Sequence, residues 1–328
     1  MKNIKIIATG GTIAGRAASS TQLTGYTAGA YSVEDLLSSV PALGELAHIS
    51  GEQLCNIDSS SLTDAILLRL AQRCNELLTQ ADIDGVVITH GTDTMEETAF
   101  FLNLTVQSAK PVVLVGSMRP ATAVSADGPL NMLNAVRVAA CAESAGQGVL
   151  VVMNDEIYSG RDVTKTNTEN VATFKAPNGG ALGFVVDGGV RYYYRGVRPH
   201  TLQSGFDVKN LVRLPRVDII YTHVGEDRIF VDAACAAGAE GIVYAGSGMG
   251  SIHECAELAL SEAVKRGVVV VRSSRTGSGF VTAGLKRWTQ AGFLHADNLN
   301  PQKARLLLQL ALTKTHERGE VQALFDKY

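Results

Sequence analysis

The sequence predicts a doubly wound α/β protein: a mostly parallel sheet in a large N-terminal domain, followed by a smaller C-terminal α/β domain. Three observations point there. Short, almost wholly apolar and β-branched runs, beginning with residues 4–8, suit strands buried on both faces of a parallel sheet. These runs alternate along the chain with stretches of helical periodicity. The chain has 328 residues, more than one average domain, and loses its periodicity near residues 195–215.

Taken in order, the first strand spans residues 4–8 and stops at Gly10 and Gly11, which let the backbone turn sharply and approach a ligand with no Cβ in the way. Residues 32–37 start a short helix. Residues 59–78 carry Leu62, Ile66, Leu70, Cys74 and Leu77 at helical spacing, behind the capping cluster Asp58, Ser59, Ser60 and Ser61. A second apolar strand from Gly85 runs into Thr89-His90-Gly91-Thr92-Asp93. There Thr92 or Asp93 can cap a helix whose first turn holds Glu96 and Glu97, suited to the positive end of its dipole. The strand at 111–115 ends at Gly116-Ser117-Met118-Arg119-Pro120, and Pro129 starts a helix through Leu133, Val136 and Ala140. Residues 148–153 form another strand, 158–170 turn polar, and 183–194 read as a hairpin about Asp187-Gly188-Gly189. These elements make residues 1–194 the N-terminal domain. Residues 195–215, with Pro199, His200 and Pro215, read as a linker. The second domain, 216–328, has strands at 217–221, 241–245 and 268–271. Its helices fall at 231–237, 255–265 and, behind Asn300-Pro301, 303–312, with a short last helix ending at Tyr328. No internal repeat or low-complexity segment interrupts the pattern.

Composition narrows the function classes. Apolar residues make up 46% and charged residues 19%, with a formal net charge of −3, so there is no basic excess to suggest nucleic acid. No apolar run approaches the roughly 18 residues of a membrane span. The first strand starts almost at Met1, so the expected compartment is cytoplasmic as the chain is written, or periplasmic if a leader has been removed and Met1 put in its place. The five cysteines are odd in number and widely spaced, which reads as buried or free thiols.

The chemistry gathers where two apolar strands each run into a glycine and a threonine. In an open parallel sheet, ligands sit outside the carboxyl ends of strands, so Thr12 and Thr92 can converge on one crevice. A threonine hydroxyl is a poor nucleophile at neutral pH and needs a base and an oxyanion pocket. Tyr26 and Lys165 are possible bases, Asp93 a carboxylate, and the amides of Gly11, Gly91 and Thr92 possible oxyanion donors. Each alone also has an ordinary structural reading. A lysine in a polar loop is commonly a solvated charge, a tyrosine between Gly25 and Thr27 commonly packs on the surface, and a strand-end histidine such as His90 is commonly a satisfied structural group, though its position also suits a general base.

Together the stretches ATGGTIAG (8–15), ITHGTDTMEET (88–98), MRP and SADGP (118–120 and 125–129), DVTKTNT (162–168) and NPQKARLLLQL (300–310) resemble the bacterial type II L-asparaginases over nearly the whole chain. The resemblance implies a flavodoxin-like N-terminal core and a homotetramer of intimate dimers in which a neighbouring subunit completes each site. It implies hydrolysis of L-asparagine to L-aspartate and ammonia through a threonyl β-acyl-enzyme, with weaker activity on L-glutamine, and neither a metal nor an organic cofactor. Position by position, Thr12 resembles the nucleophile and Tyr26 the tyrosine of the loop that closes over it. Thr92, Lys165 and Asp93 resemble a second triad, Asp93 also gripping the substrate α-amino group. Ser59 resembles the residue binding the α-carboxylate. Gly11, Ser60, Gly91, Ser117 and, from the neighbouring subunit, Ser251 fall at the remaining substrate-binding positions. Three departures stand out. Ser60 is shorter than the glutamine or glutamate many relatives carry, Ser251 stands where many have asparagine, and an ungapped match puts Lys286 where relatives supply a glutamate. No acid occurs between Ser273 and Ala296, so that role is left empty.

Two other classes compete. A non-catalytic amino-acid-binding or sensor protein would keep the pocket and release no ammonia; the missing acid near Lys286 favours it. A nucleotide-binding enzyme is suggested only by glycines after a strand, with neither G-x-G-x-x-G nor G-x-x-x-x-G-K-[ST] present. No G-x-S-x-G elbow or H-E-x-x-H pair supports a serine hydrolase or a zinc site.

Overall fold

A computed structural model describes residues 1–15, 19–21 and 32–328. The chain forms two compact units, 1–211 and 212–328.

In the first unit the apolar runs become strands β1 (Lys2–Gly10), β3 (Gly85–Thr89), β4 (Val112–Val115) and β5 (Val149–Met153), with β2 (Ala47–Ile57) at one edge. These five are parallel and lie in the order β2-β1-β3-β4-β5. Three antiparallel strands, β6 (Glu156–Ser159), β9 (Gly183–Val186) and β10 (Gly189–Tyr192), extend the sheet beyond β5. A separate two-residue ladder joins β7 (Thr164–Lys165) to β8 (Phe174–Lys175). The 2-1-3-4-5 order is that of a flavodoxin-like sheet, and its direction of winding reverses between β1 and β3. At that reversal the connections leave toward opposite faces and open a crevice beyond the strand ends.

Both faces of the sheet are covered, which is why its strands read as continuous apolar runs. Helices α1 (Val33–Ser38), α2 (Leu43–Leu46) and α5 (Gly128–Ala140) pack on one face, over a core that includes Ile4, Ile6, Val87, Val113, Leu150 and Val136. Helices α3 (Asp64–Leu78) and α4 (Met95–Thr105) contact β3, β5 and each other. α3 starts later than its periodicity suggested. Residues 59–61 form a separate 3-10 turn capped by Asp58, and Thr63 caps the helix by accepting from the Ile66 amide. α4 is entered from Thr94 rather than from Thr92 or Asp93, which leaves both of those side chains for the crevice. β2, which the sequence reading passed over, is a partly exposed edge strand with polar residues and Gly51 along its length. The hairpin between β9 and β10 turns through Asp187 (φ 50°) and Gly188 (φ 71°), the left-handed pair that a two-residue turn requires. Residues 195–211 group with this unit, with Phe206 and Val208 buried.

The second unit has a four-stranded parallel sheet in sequential order, β11 (Val217–Tyr221), β12 (Gly241–Gly246), β13 (Val269–Ser274) and β14 (Leu294–His295). Helices α6 (Ile229–Ala236), α7 (Glu254–Lys265), α8 (Lys286–Ala291), α9 (Pro301–Leu312) and α10 (Arg318–Lys327) surround it. Asn300 caps α9, accepting from the Lys303 amide ahead of Pro301. All five cysteines are free thiols. Among the described residues no helix is long and apolar enough to cross a membrane.

His90 holds the end of β3 to α4. Its ring is fully buried, with Nδ1 2.6 Å from the Gly91 carbonyl and Nε2 2.8 Å from the Thr98 hydroxyl. A carbonyl only accepts, so Nδ1 carries the proton and Nε2 accepts from Thr98. Burial pushes this imidazole down from 6.5 to about 4, against a smaller upward pull from the Gly91 carbonyl. With its lone pair occupied, His90 is the structural histidine of the two readings. A histidine held low in the folded state stabilises it fully above pH 6.5 and loses that contribution as pH falls toward 4, because the unfolded chain binds the proton first. Urea unfolding across this window is expected to show the parent protein losing about 3 kcal/mol more than His90→Gln, whereas parallel pH profiles would refute the assignment.

Candidate active site

The crevice at the β1/β3 reversal is built by close backbone approach. After β1, Gly10 (φ 103°) and Gly11 (φ 83°) take conformations that side chains rarely tolerate. A Cβ on Gly11 would lie 2.4 Å from the backbone of Gly91, and one on Gly91 would lie 2.5 Å from Ser59 Oγ. Three segments from distant parts of the sequence therefore stack at one point: the turn after β1, the loop after β3, and the 3-10 turn at residues 59–61. The Thr9 hydroxyl, donating to the Thr89 carbonyl at 2.8 Å, ties the two strand ends together just beneath.

Thr12 opens a one-turn 3-10 segment, Thr12–Ala14, immediately after Gly11 and is buried. Thr92 follows Gly91 and is also buried. The two threonines thus flank a pair of glycines in van der Waals contact at neighbouring strand ends. Lys165, on β7, reaches the same place. Its ammonium donates to Thr92 Oγ1 at 2.9 Å and to Asp93 Oδ1 at 2.5 Å. The lysine side chain is 15% exposed and the Asp93 side chain 59%, so the cluster runs from an enclosed hydroxyl to a solvent-facing carboxylate. An ammonium has three donors, and two of them are engaged here.

Ser59 is buried with its Oγ directed at the Gly91 backbone, and its carbonyl accepts from the Thr94 hydroxyl at 2.9 Å. Ser60 is exposed, and its hydroxyl donates to Asp58 Oδ1 at 3.0 Å. Ser117 is fully buried and its hydroxyl donates to the Arg119 carbonyl, so it serves its own loop in this structure. Ser251 lies in the second unit, exposed, closing a tight loop by paired backbone bonds with Ser247. The Gly250 and Gly248 carbonyls of that loop accept from Arg272 and Ser274. Lys286 is exposed at the start of α8. Tyr26 lies outside the described residues. One sequence expectation needs correction: the Gly11 amide is not available as an oxyanion donor, because it donates to the Ile57 carbonyl at 3.1 Å.

Two supporting groups escaped the sequence reading. Asp127 accepts from the Met118 and Arg119 amides, both at 2.9 Å, and so shapes the loop after β4; its place in SADGP was the available signal. Glu96 is 5% exposed on the first turn of α4 and accepts from the Thr164 hydroxyl, next to Lys165. Its position at a helix start suggested only a dipole contact.

Comparison with known proteins agrees with this architecture. Residues 3–198 match the family profile described as Asparaginase, N-terminal, and residues 216–325 match the Glutaminase/Asparaginase C-terminal domain. The chain is 52% identical over 328 residues to L-asparaginase 2 of Bacillus subtilis (strain 168), covering 100% of this chain and 87% of that protein. It is 49% identical over 330 residues to L-asparaginase 2 of Escherichia coli (strain K12), covering 100% and 94%. Its structure superposes on the crystal structure of a probable cytoplasmic L-asparaginase from Campylobacter jejuni with a TM-score of 0.98, at 50% identity and with all of both chains covered. Both domains are matched nearly end to end, and the chain belongs to the asparaginase family.

Proposed function

We propose that this protein hydrolyses the side-chain amide of L-asparagine to L-aspartate and ammonia, with weaker activity on L-glutamine. The observation that carries the reading is the Lys165 ammonium joined to both Thr92 and Asp93 beside the Gly11–Gly91 contact. Amide hydrolysis needs a nucleophile, a route for protons and a pocket for the developing oxyanion.

In this reading Thr12 Oγ1 attacks the amide carbon, and its proton, handed on by Tyr26, leaves with the nitrogen as ammonia. The resulting β-aspartyl ester is cleaved by a water at Thr92, whose hydroxyl Lys165 polarises by donating to it; the water oxygen bonds to the acyl carbon and one water proton, relayed by Thr92, ends on Thr12 Oγ1 as the ester opens. Asp93, half-open to solvent, holds the substrate α-amino group, and Ser59 the α-carboxylate. The oxyanion falls to the amides of Gly91 and Thr92. We further propose a homotetramer of intimate dimers in which the loop holding Ser251 completes a neighbour's site, and Ser117 acts by shaping the loop beyond β4.

The relatives, named as asparaginases, lend no support to the non-catalytic amino-acid binder weighed from the sequence, and ammonia release tests the choice directly. Incubation with L-asparagine is expected to yield ammonia and aspartate in equal amounts; tight aspartate binding without ammonia would favour the binder. Lys165→Met is expected to lower kcat by about a hundredfold or more, as loss of a proton-transfer partner does, and a kcat near that of the parent would remove lysine from the mechanism. Selectivity follows from Ser60, whose short side chain is already committed to Asp58 and gives the longer substrate little positioning. Steady-state kcat/KM is expected to favour asparagine over glutamine by at least about tenfold, and comparable values for the two would contradict this account.

A further inference from the structure

Lys165 is the working end of an otherwise slight element. β7 is two residues long, pairs among the described residues only with the two-residue β8, and stands apart from the eight-stranded sheet. Its side chain has four rotatable carbons and, unanchored, would sample many positions. Thr92 and Asp93, which it must meet, sit on the loop that leads into α4. The distance between ammonium and hydroxyl therefore depends on how firmly β7 is fixed to the start of that helix.

Glu96 and Thr164 make such a connection. Glu96 lies on the first turn of α4, four residues after Thr92, and Thr164 immediately precedes Lys165. The Thr164 hydroxyl donates to Glu96 Oε2. Glu96 is only 5% exposed, and a carboxylate taken that far from water is retained only where hydrogen bonds and a favourable field repay its desolvation. The positive end of α4 supplies the field, and Thr164 a hydrogen bond. Val163 on the other side of Thr164 is fully buried, so the backbone is held on both sides of the bond.

We propose that Glu96 and Thr164 are positioning residues for the hydrolysis step, a buried clamp that sets the reach of Lys165 to Thr92. The inference rests on the function proposed above. Neither group touches substrate; the clamp acts through the lysine, and a displacement of about 1 Å in such a group is enough to cost about a hundredfold in rate.

The test compares Thr164→Val, which keeps the shape and removes the hydroxyl, with Thr164→Ser, which keeps the hydroxyl, and with Glu96→Leu, which removes the acceptor. Thr164→Val is expected to lower kcat by about 10- to 100-fold with KM changed less than about threefold, and Thr164→Ser to stay within about threefold of the parent. Glu96→Leu is expected to fold, by circular dichroism and thermal melting, and to lose kcat; in the Thr164→Val, Glu96→Leu pair the losses do not add, because each removes the same bond. A parent-like kcat in Thr164→Val or in Glu96→Leu, equal losses in the valine and serine variants, or a change confined to KM would each overturn the clamp. Should Thr164→Val fail to fold, Glu96→Leu and Thr164→Ser decide alone. An inactive parent protein would instead overturn the function itself, so the two failures are distinguishable.

Discussion

The contact between Gly11 and Gly91 is the constraint on which the site depends. Neither position has room for a methyl group, since a Cβ on either would fall within about 2.5 Å of the next layer. The absence of side chains lets the turn after β1, the loop after β3 and Ser59 meet in one place, and it puts Thr12 and Thr92 on either side of the meeting point. The sheet order explains why this happens where it does. With β1 flanked by β2 and β3, the connections diverge to opposite faces and leave a gap that only loops fill. Strand pairing of Ala8 with Thr89 then fixes the two strand ends at one level.

A second constraint concerns charge. Lys165 arrives from a short ladder outside the main sheet and finds two partners, one an enclosed hydroxyl and one a carboxylate near solvent. The carboxylate offsets the desolvation of the ammonium. The same pair leaves the Thr92 hydroxyl accepting a hydrogen bond from a positive charge, which polarises it. His90, two residues before Thr92, takes no such part because its ring is spent on Gly91 and Thr98. Proximity to a site does not by itself confer a role; the free lone pair does.

Much of this was legible in the sequence because the signals were local and strong. The buried strands announced themselves by unbroken apolar runs, the hairpin by Asp187-Gly188-Gly189, and the last long helix by Asn300-Pro301. The paired strand-to-glycine-to-threonine stretches pointed to one crevice, and the structure places Thr12 and Thr92 at neighbouring strand ends. What escaped notice was not local. β2 is an edge strand whose exposed positions are polar and whose Gly51 is needed for Val33 to pack over it, so it has neither a clean alternation nor an apolar run. The 3-10 turn at 59–61 and α3 share one capping-rich stretch, and only the backbone reveals that Asp58 caps the first and Thr63 the second. Glu96 looks like a helix-start carboxylate until a threonine 68 residues away is seen to donate to it. The Gly11 amide looked available until the Ile57 carbonyl proved to hold it.

The account stands on two hydroxyls acting on one substrate carbon. A crystal structure of the protein with L-aspartate bound tests this most directly. The side-chain carboxylate is expected within hydrogen-bonding reach, about 3 Å, of both Thr12 Oγ1 and Thr92 Oγ1, with the α-amino group on Asp93. An aspartate side chain that meets only one of the two threonines, or that binds away from the Gly11–Gly91 contact, would contradict it.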